Sequence, residues 1–254
     1  MAPLRWLLAA VAAAVTASES ERRCAPLPRI IIGCWQLLER GTRDSAVATL
    51  RAYADAGFTA FDTADIYGPS EAILGSFLAD YTGEVEVFTK YVTSDASAGN
   101  ADAVNRASRR ALGVERLDLV QFHWWDFGDN GYVAAARELV SLKERGRVKS
   151  IAACNFDVRH LEVLLDAEIP LVANQVQYSL LDRRPENGMI TLAARRGLQL
   201  TCFGSVAGGW LSDKYLGADE PSPPGPDKGD CDIPPSRVLR AIICFEARIR
   251  TSRI

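Results

Sequence analysis

The sequence predicts an α/β chain of the (β/α)8 TIM-barrel type, incomplete, with seven legible strands and a divergent C-terminal tail. Three observations predict it. Apolar strand-like runs alternate with helical periodicity about every 20 to 33 residues, which implies a parallel sheet clothed by helices. Strand after strand closes on a polar or conformationally special residue: Gly33, Asp62, Lys90, His123, Asn155 and Gln175. In a barrel the carboxyl ends of all strands surround one site, whereas a doubly wound sheet uses only those at its switch point. Finally, no Gly-x-Gly-x-x-Gly occurs, so a Rossmann reading lacks its phosphate-binding fingerprint.

The elements follow in order. Arg29 to Trp35 is a β-branched strand ending at Gly33. Arg43 to Ala56 is helical, with Ala46, Val47, Leu50, Tyr53 and Ala54 on one face. The strand Phe58 to Asp62 precedes the loop signal Gly68-Pro69, and Ser70 is predicted to cap a helix from Glu71 to Tyr81. Glu84 to Lys90 is a strand and Ala101 to Leu112 a helix. Leu117 to His123 is a strand, and Tyr132 to Glu144 a helix closed by Gly146. Val148 to Cys154 is a strand ending at Asn155, followed by a helix from Val158 to Asp166. Pro170 to Asn174 is a strand ending at Gln175. A helix from Gly188 to Arg196 and a strand from Leu198 to Phe203 complete the pattern.

Length and composition agree with this organisation. The 254 residues are 48% hydrophobic and 24% charged, which suits one barrel-sized domain. The net charge of −3, without a block of like charge, argues against a nucleic-acid-binding face. None of the six cysteines forms a Cys-x-x-Cys pair, so zinc-ligand and thioredoxin spacings are absent, and buried free thiols are expected. Trp6 to Val15 is a ten-residue apolar run followed by the small-residue stretch Val15-Thr16-Ala17. That pattern reads as a signal-peptide core too short to span a bilayer, or as an organellar leader or a misassigned start. The predicted organisation is a leader over 1–26, a barrel domain over 27–217 and a tail over 218–254. No membrane span is predicted after leader removal. Oligomeric state is not legible.

The stretch Phe61-Asp-Thr-Ala-Asp-Ile-Tyr-Gly-Pro-Ser-Glu71 carries the chemistry. It sets a carboxylate at a strand end and a phenol on the following loop. Asp62, Tyr67, Lys90 and His123 then stand around one rim. A phenol with its ordinary pKa near 10 is a poor proton donor at neutral pH, and a lysine cation beside it is expected to lower that value. The carboxylate would hold the ammonium, and the histidine would donate to a carbonyl oxygen. The set suits carbonyl reduction, in which an alkoxide develops and is protonated. Singly, each residue has a plainer reading: a helix-capping acid, a half-buried tyrosine, a solvated lysine, a structural histidine. Their placement at successive strand ends argues for one site. Hydrolase signatures, Gly-x-Ser-x-Gly and His-Glu-x-x-His, are absent.

The chain here resembles the aldo-keto reductase family. The matching stretches are Phe61 to Gly68, Val87-Phe-Thr-Lys90, Asp118-Leu-Val-Gln-Phe-His123, Ala153-Cys-Asn155, Asn174-Gln-Val-Gln177 and Phe203 to Gly217, in the family's order. The resemblance covers roughly residues 28 to 220 and includes branches similar to plant, algal and potassium-channel β-subunit proteins. It implies a barrel binding NADP(H), or in some members NAD(H), with no metal, and a small carbonyl or sugar substrate. Tyr67 is implied as general acid, tuned by Lys90 and His123, with Asp62 paired to Lys90. Implied cofactor contacts are Gly33, Cys34, Trp35, Asp62, Asn155, Gln175, Phe203, the loop Gly204, Ser205, Val206, Ala207 and Gly208, and Lys214. Trp35 and Trp124 are implied to face substrate. The family's location is mostly cytoplasmic, against the secretory or organellar sense of the leader.

Two departures qualify the match. Cys154 stands where the family usually has serine, before Asn155. After Gly217 the match fades into the Pro-rich run Glu220 to Pro226 and an amphipathic stretch from Arg237 to Arg250, with no eighth strand legible. The sequence therefore also admits a non-catalytic nucleotide-binding regulatory module, or an inactive truncated fragment. It predicts weak cofactor binding with little preference between NADPH and NADH. Dissociation constants for both cofactors check this, and tight binding with strong NADPH preference would overturn it.

Overall fold

The structure, a computed structural model, describes residues 26–38, 41–128, 130–209, 211 and 213. Seven parallel strands lie in sequence order in one sheet: β1 (Ile32–Gly33), β2 (Ala60–Asp62), β3 (Glu86–Thr93), β4 (Leu117–Trp124), β5 (Val148–Cys154), β6 (Leu171–Gln177) and β7 (Gln199–Phe203). Six helices alternate with them: α1 (Arg43–Asp55), α2 (Ser70–Asp80), α3 (Asn100–Leu112), α4 (Tyr132–Glu144), α5 (Val158–Asp166) and α6 (Met189–Arg196). Among the described residues, strands in sequence order, with an α-helix after each of the first six, form a curled seven-stranded sheet of the (β/α)8-barrel kind, with β1 and β7 at its edges. The leader, the Pro-rich run, the predicted helix over 237–250, any eighth strand and Lys214 lie outside the described residues.

Side-chain alternation sorts the strands into two apolar layers. Outward residues such as Phe61, Val120, Phe122, Ile151 and Ala153 join the helices' buried faces in the larger cluster. Phe61 meets Phe77 of α2 at 5.6 Å between ring centroids. Inward residues Ala60, Phe88, Leu119, Ala152 and Ala173 form a smaller plug, flanked by Leu27 and Ile31. The Leu27 amide also donates to Gln199 Oε1 at 2.9 Å, so the segment before β1 reaches β7. Above this plug the next inward level is polar: Asp62, Lys90, Gln121, Cys154 and Gln175. Register fixes that level, since Lys90 sits opposite Gln121, and Gln175 opposite both Cys154 and Thr201. Among the described residues, no helix is long and apolar enough to cross a membrane.

Several predicted boundaries shift. β1 shortens to two residues. β3 runs three residues beyond Lys90 because Tyr91, Val92 and Thr93 keep pairing with β4, so Lys90 lies inside the lumen rather than at a strand end. β6 extends to Gln177, which places Gln175 inside the strand as well. Ser70 does not cap α2. Its hydroxyl is buried, accepts from the Thr63 hydroxyl at 2.8 Å and donates to the Cys34 carbonyl at 3.1 Å. Cys34 and Cys154 are buried free thiols, but Cys202 is exposed. It faces outward from β7, after which no α-helix follows among the described residues.

Helices α2 and α3 approach closely at Gly75. A Cβ there would lie 2.2 Å from the Ala111 carbonyl oxygen and 3.1 Å from Leu112 backbone atoms. Gly75→Ala is therefore expected to push α3 off α2 and destabilise the fold by about 1–3 kcal/mol, despite alanine's better helix propensity. Chemical denaturation checks this, and an unchanged midpoint would mean the helices separate at no cost.

Candidate active site

The site sits on the polar level above the apolar plug. Asp62 ends β2 and its side chain enters the lumen. Lys90 reaches it from β3, with Nζ 2.6 Å from Asp62 Oδ2 and 2.8 Å from the Thr63 carbonyl. Both groups are nearly sequestered, at 9% and 3% exposure. A buried ion pair persists when its remaining atoms are also bonded. Here Asp62 Oδ1 accepts from Gln121 and, at 3.0 Å, from Gln175.

Local backbone geometry puts the phenol next to this pair. After Asp62 the Thr63 amide donates to the Phe88 carbonyl, and the chain turns with the Tyr67 amide bonded to the Ala64 carbonyl at 3.1 Å. Gly68, at φ +55°, completes the turn into α2. Tyr67 lies over Lys90, whose ammonium is 4.9 Å from the ring centroid. Trp35, half exposed, stands 6.5 Å from the same ring. His123, on the lumen side of β4, lies against exposed Trp125 at 4.8 Å between centroids.

The electrostatics depart from expectation at one point. Burial pushes the Tyr67 phenol above its ordinary value, and the Lys90 cation only partly offsets it. The lowering expected from Lys90 is thus outweighed by desolvation, and the phenol is held protonated at neutral pH. Burial pulls Lys90 down, but Asp62 and then Tyr67 favour its charged form, and the net direction is up. Burial, with Lys90 adding repulsion, lowers His123, so its imidazole is neutral at pH 7. Burial also pushes both the Cys34 and Cys154 thiols up to about 12, which keeps them unreactive.

The loop carries a second acid, Asp65. It accepts from the Val92 amide at 3.3 Å, while its other oxygen is buried without a partner. Burial pushes its carboxyl up to about 6, the Val92 bond opposing and Glu71 reinforcing. The folded state then binds more protons than the unfolded state between the ordinary carboxyl value of 3.8 and about 6, so stability falls as pH rises through that window. Asp65→Asn keeps an acceptor for Val92 and is expected to raise Tm more at pH 8 than at pH 5. Equal gains at both pH values would mean that the charge of Asp65 is not what costs stability.

Of the residues predicted for the site, the structure brings Asp62, Tyr67, Lys90 and His123 to one region, with Trp35 at its edge. Asn155 is exposed just past β5 in the left-handed region, φ +59°, its amide bonded to the Gln175 carbonyl. Gln175 is buried, giving its amide to Asp62 and accepting from the Cys154 thiol at 3.6 Å. Gly33 is exposed, whereas Cys34 is fully buried and offers only backbone. Phe203 ends β7 half-buried. Gly204 to Gly208 forms a tight turn, with the Ala207 amide on the Gly204 carbonyl at 2.8 Å and Ser205 and Val206 exposed. Trp124 needs correction: at 1% exposure its ring packs outward against Phe122 and Tyr132, and its indole N–H donates to the Asp126 carbonyl. Alternation along β4 buries Trp124 under the helices, and it is Trp125 that reaches solvent.

Sequence reasoning missed Gln121 and Thr63. Gln121 was detectable, since an inward position two residues before His123 is predicted apolar in a packed lumen. The arrangement can hold a cation, a protonated phenol and a neutral imidazole at one mouth. A nucleotide cofactor fits beside them on two observations. The Thr201 hydroxyl, opposite Gln175 in register, is buried with no partner. Exposed Asn155 and Ser205 bring polar side chains to the ends of β5 and β7. Among the described residues, no cluster of three His, Cys, Asp or Glu side chains is placed to bind a metal.

Comparisons with known proteins agree with this fold. The model of a family described as the aldo/keto reductase family matches residues 29–240. Methylglyoxal reductase DkgA of Yersinia pestis is 31% identical over 160 residues, covering 62% of this chain and 56% of that protein. The uncharacterised oxidoreductase YtbE of Bacillus subtilis is 30% identical, covering 76% and 69%. The chain spans little more than half the length of the first of these relatives, and 38% of flagellar radial spoke protein 5 of Chlamydomonas reinhardtii. Among solved structures, the glycerol dehydrogenase of Gluconobacter oxydans aligns at TM-score 0.74 and 26% identity, covering 90% of this chain and 76% of that one. An enzyme of Klebsiella pneumoniae in complex with NADP and acetate aligns at TM-score 0.65 and 26% identity, covering 77% and 70%.

Proposed function

This chain belongs to the aldo/keto reductase family, and from that premise we propose that it is an NADP(H)-dependent oxidoreductase with Tyr67 as its general acid. It would reduce an aldehyde or ketone, or in reverse oxidise a sugar-type alcohol. The observation that carries the reading is the buried Lys90–Asp62 pair with the protonated Tyr67 ring above it.

When bound, the nicotinamide supplies or accepts the hydride. The chain does the rest. Tyr67 gives its phenolic proton to the carbonyl oxygen as negative charge develops there. Lys90 stabilises the phenolate left behind, and Asp62 keeps the ammonium in place. Neutral His123 donates a hydrogen bond to the same oxygen and orients it. Asn155 and Gln175 would hold the carboxamide, Phe203 the ring face, and the Gly204–Gly208 turn the pyrophosphate. Gly33, the Cys34 backbone and Trp35 would line the nicotinamide side, with Lys214 as a proposed phosphate contact. Trp35 and Trp125 would contact substrate.

The Yersinia relative is named a methylglyoxal reductase and the Gluconobacter structure a glycerol dehydrogenase. Small aldehydes and polyols are therefore the substrates to assay first. NADPH oxidation at 340 nm, over a panel of aldehydes and sugar lactols, tests the proposal alongside an NADPH fluorescence titration. Turnover of an aldehyde is expected. Binding without turnover of any substrate would replace this reading with that of a regulatory nucleotide-binding module.

A further inference from the structure

Asp62 is held from three strands. Lys90 of β3 takes Oδ2 at 2.6 Å, while Gln121 of β4 and Gln175 of β6 both donate to Oδ1. Gln121 is 2% exposed and lies opposite Lys90 in register, so the two side chains flank the carboxylate from neighbouring strands. Gln175 has other demands on it. Its carbonyl already accepts from Cys154, and its amide is one of the groups proposed to meet the nicotinamide carboxamide. When Gln175 turns to the cofactor, Oδ1 keeps a donor only from Gln121. Without one, a buried carboxylate oxygen recruits the nearest N–H, which is the Lys90 ammonium, and draws it off the Tyr67 ring.

We propose that Gln121 is a positioning residue for the proton donor: its amide fixes Asp62 so that Lys90 stays against Tyr67 whichever partner Gln175 takes. This role rests on the reading of Tyr67 as general acid. The charged and titratable groups facing the cluster are Asp62 from β2, Tyr67 from the loop after it, Lys90 from β3, His123 from β4, Cys154 from β5, and Cys34 after β1. Loss of the Gln121 amide leaves more unbalanced negative charge beside Tyr67 and loosens its cation, and both effects push the phenol further up.

Two variants test this. In cofactor-free protein, the tyrosinate absorbance titration of Tyr67 is isolated by subtracting the same protein carrying Tyr67→Phe. Gln121→Leu is expected to move that titration up by about one unit. In the full chain it should also lower kcat about tenfold or more, with KM for NADPH within about twofold. Gln121→Glu is nearly isosteric and keeps the test open if the leucine variant does not fold. Only a protonated glutamic acid can donate to Asp62, so its activity should recover as pH falls, an effect that simple packing would not produce. An unmoved Tyr67 titration in Gln121→Leu overturns the proposal, whether or not the protein turns over an aldehyde. A shifted titration in a protein that reduces no carbonyl supports the positioning role and overturns only the catalytic reading.

Discussion

Replacing Tyr67 by phenylalanine is expected to cut carbonyl-reduction turnover by about a hundredfold to ten-thousandfold, the range for removal of a positioned general acid. The substitution keeps the ring, so the contact with Lys90 at 4.9 Å and the packing against Trp35 remain. Only the phenolic proton goes. The developing alkoxide must then take its proton from water or from His123, which is neutral at pH 7 and whose burial resists the charged form. NADPH affinity should change little, because no proposed cofactor contact uses the phenol. The signature is a fall in kcat and kcat/KM together, the pattern of an interaction made only in the transition state. Substantial activity in the variant would remove Tyr67 from the role.

Removing the cation beneath the phenol should cost activity and stability together. Lys90→Met leaves Asp62 as a buried carboxylate without its counter-ion, which destabilises by about 3–5 kcal/mol when one partner of a buried pair is lost. Two glutamine amides still hold Oδ1, which places the expected loss toward the lower end of that range. Turnover should also collapse, since the phenolate left by proton transfer loses its neighbouring charge. Asp62→Asn should misplace Lys90 rather than remove it, and cost less in folding. Because the two groups act as one unit, losses in the double variant should be smaller than the sum of the single losses. Denaturation midpoints and kcat for the four proteins of the cycle decide it, and additive losses would assign the residues to separate sites.

The topology and much of the site were legible because strand periodicity and strand-end chemistry are local signals. The run Phe58 to Asp62 announces both a strand and an acid at its end, and Leu117 to His123 does the same for the histidine. What periodicity does not encode is how far pairing continues. β3 carries on past Lys90 to Thr93 because β4 offers partners there, and this turns a rim lysine into a buried one. Trp124 and Trp125 are adjacent and chemically alike in sequence, and only the pleat of β4 decides which faces solvent. Ser70 has the right side chain and position for a helix cap, yet Thr63 and the Cys34 carbonyl, seven and 36 residues away in the chain, claim its hydroxyl.

By itself the sequence determined the order of strands and helices and the chemical types gathered at the strand ends. Both follow from interactions among residues close together in the chain. The tertiary structure decided the electrostatic setting of the candidate site. Whether burial or Lys90 sets the direction of the Tyr67 shift depends on how much protein surrounds the phenol, and the structure answers that burial outweighs the cation. It also decided that Asp62 is gripped by Gln121 and Gln175, 59 and 113 residues further along the chain. Those contacts exist because sheet curvature points the side chains of β2, β4 and β6 into one lumen, a convergence that only the folded chain creates.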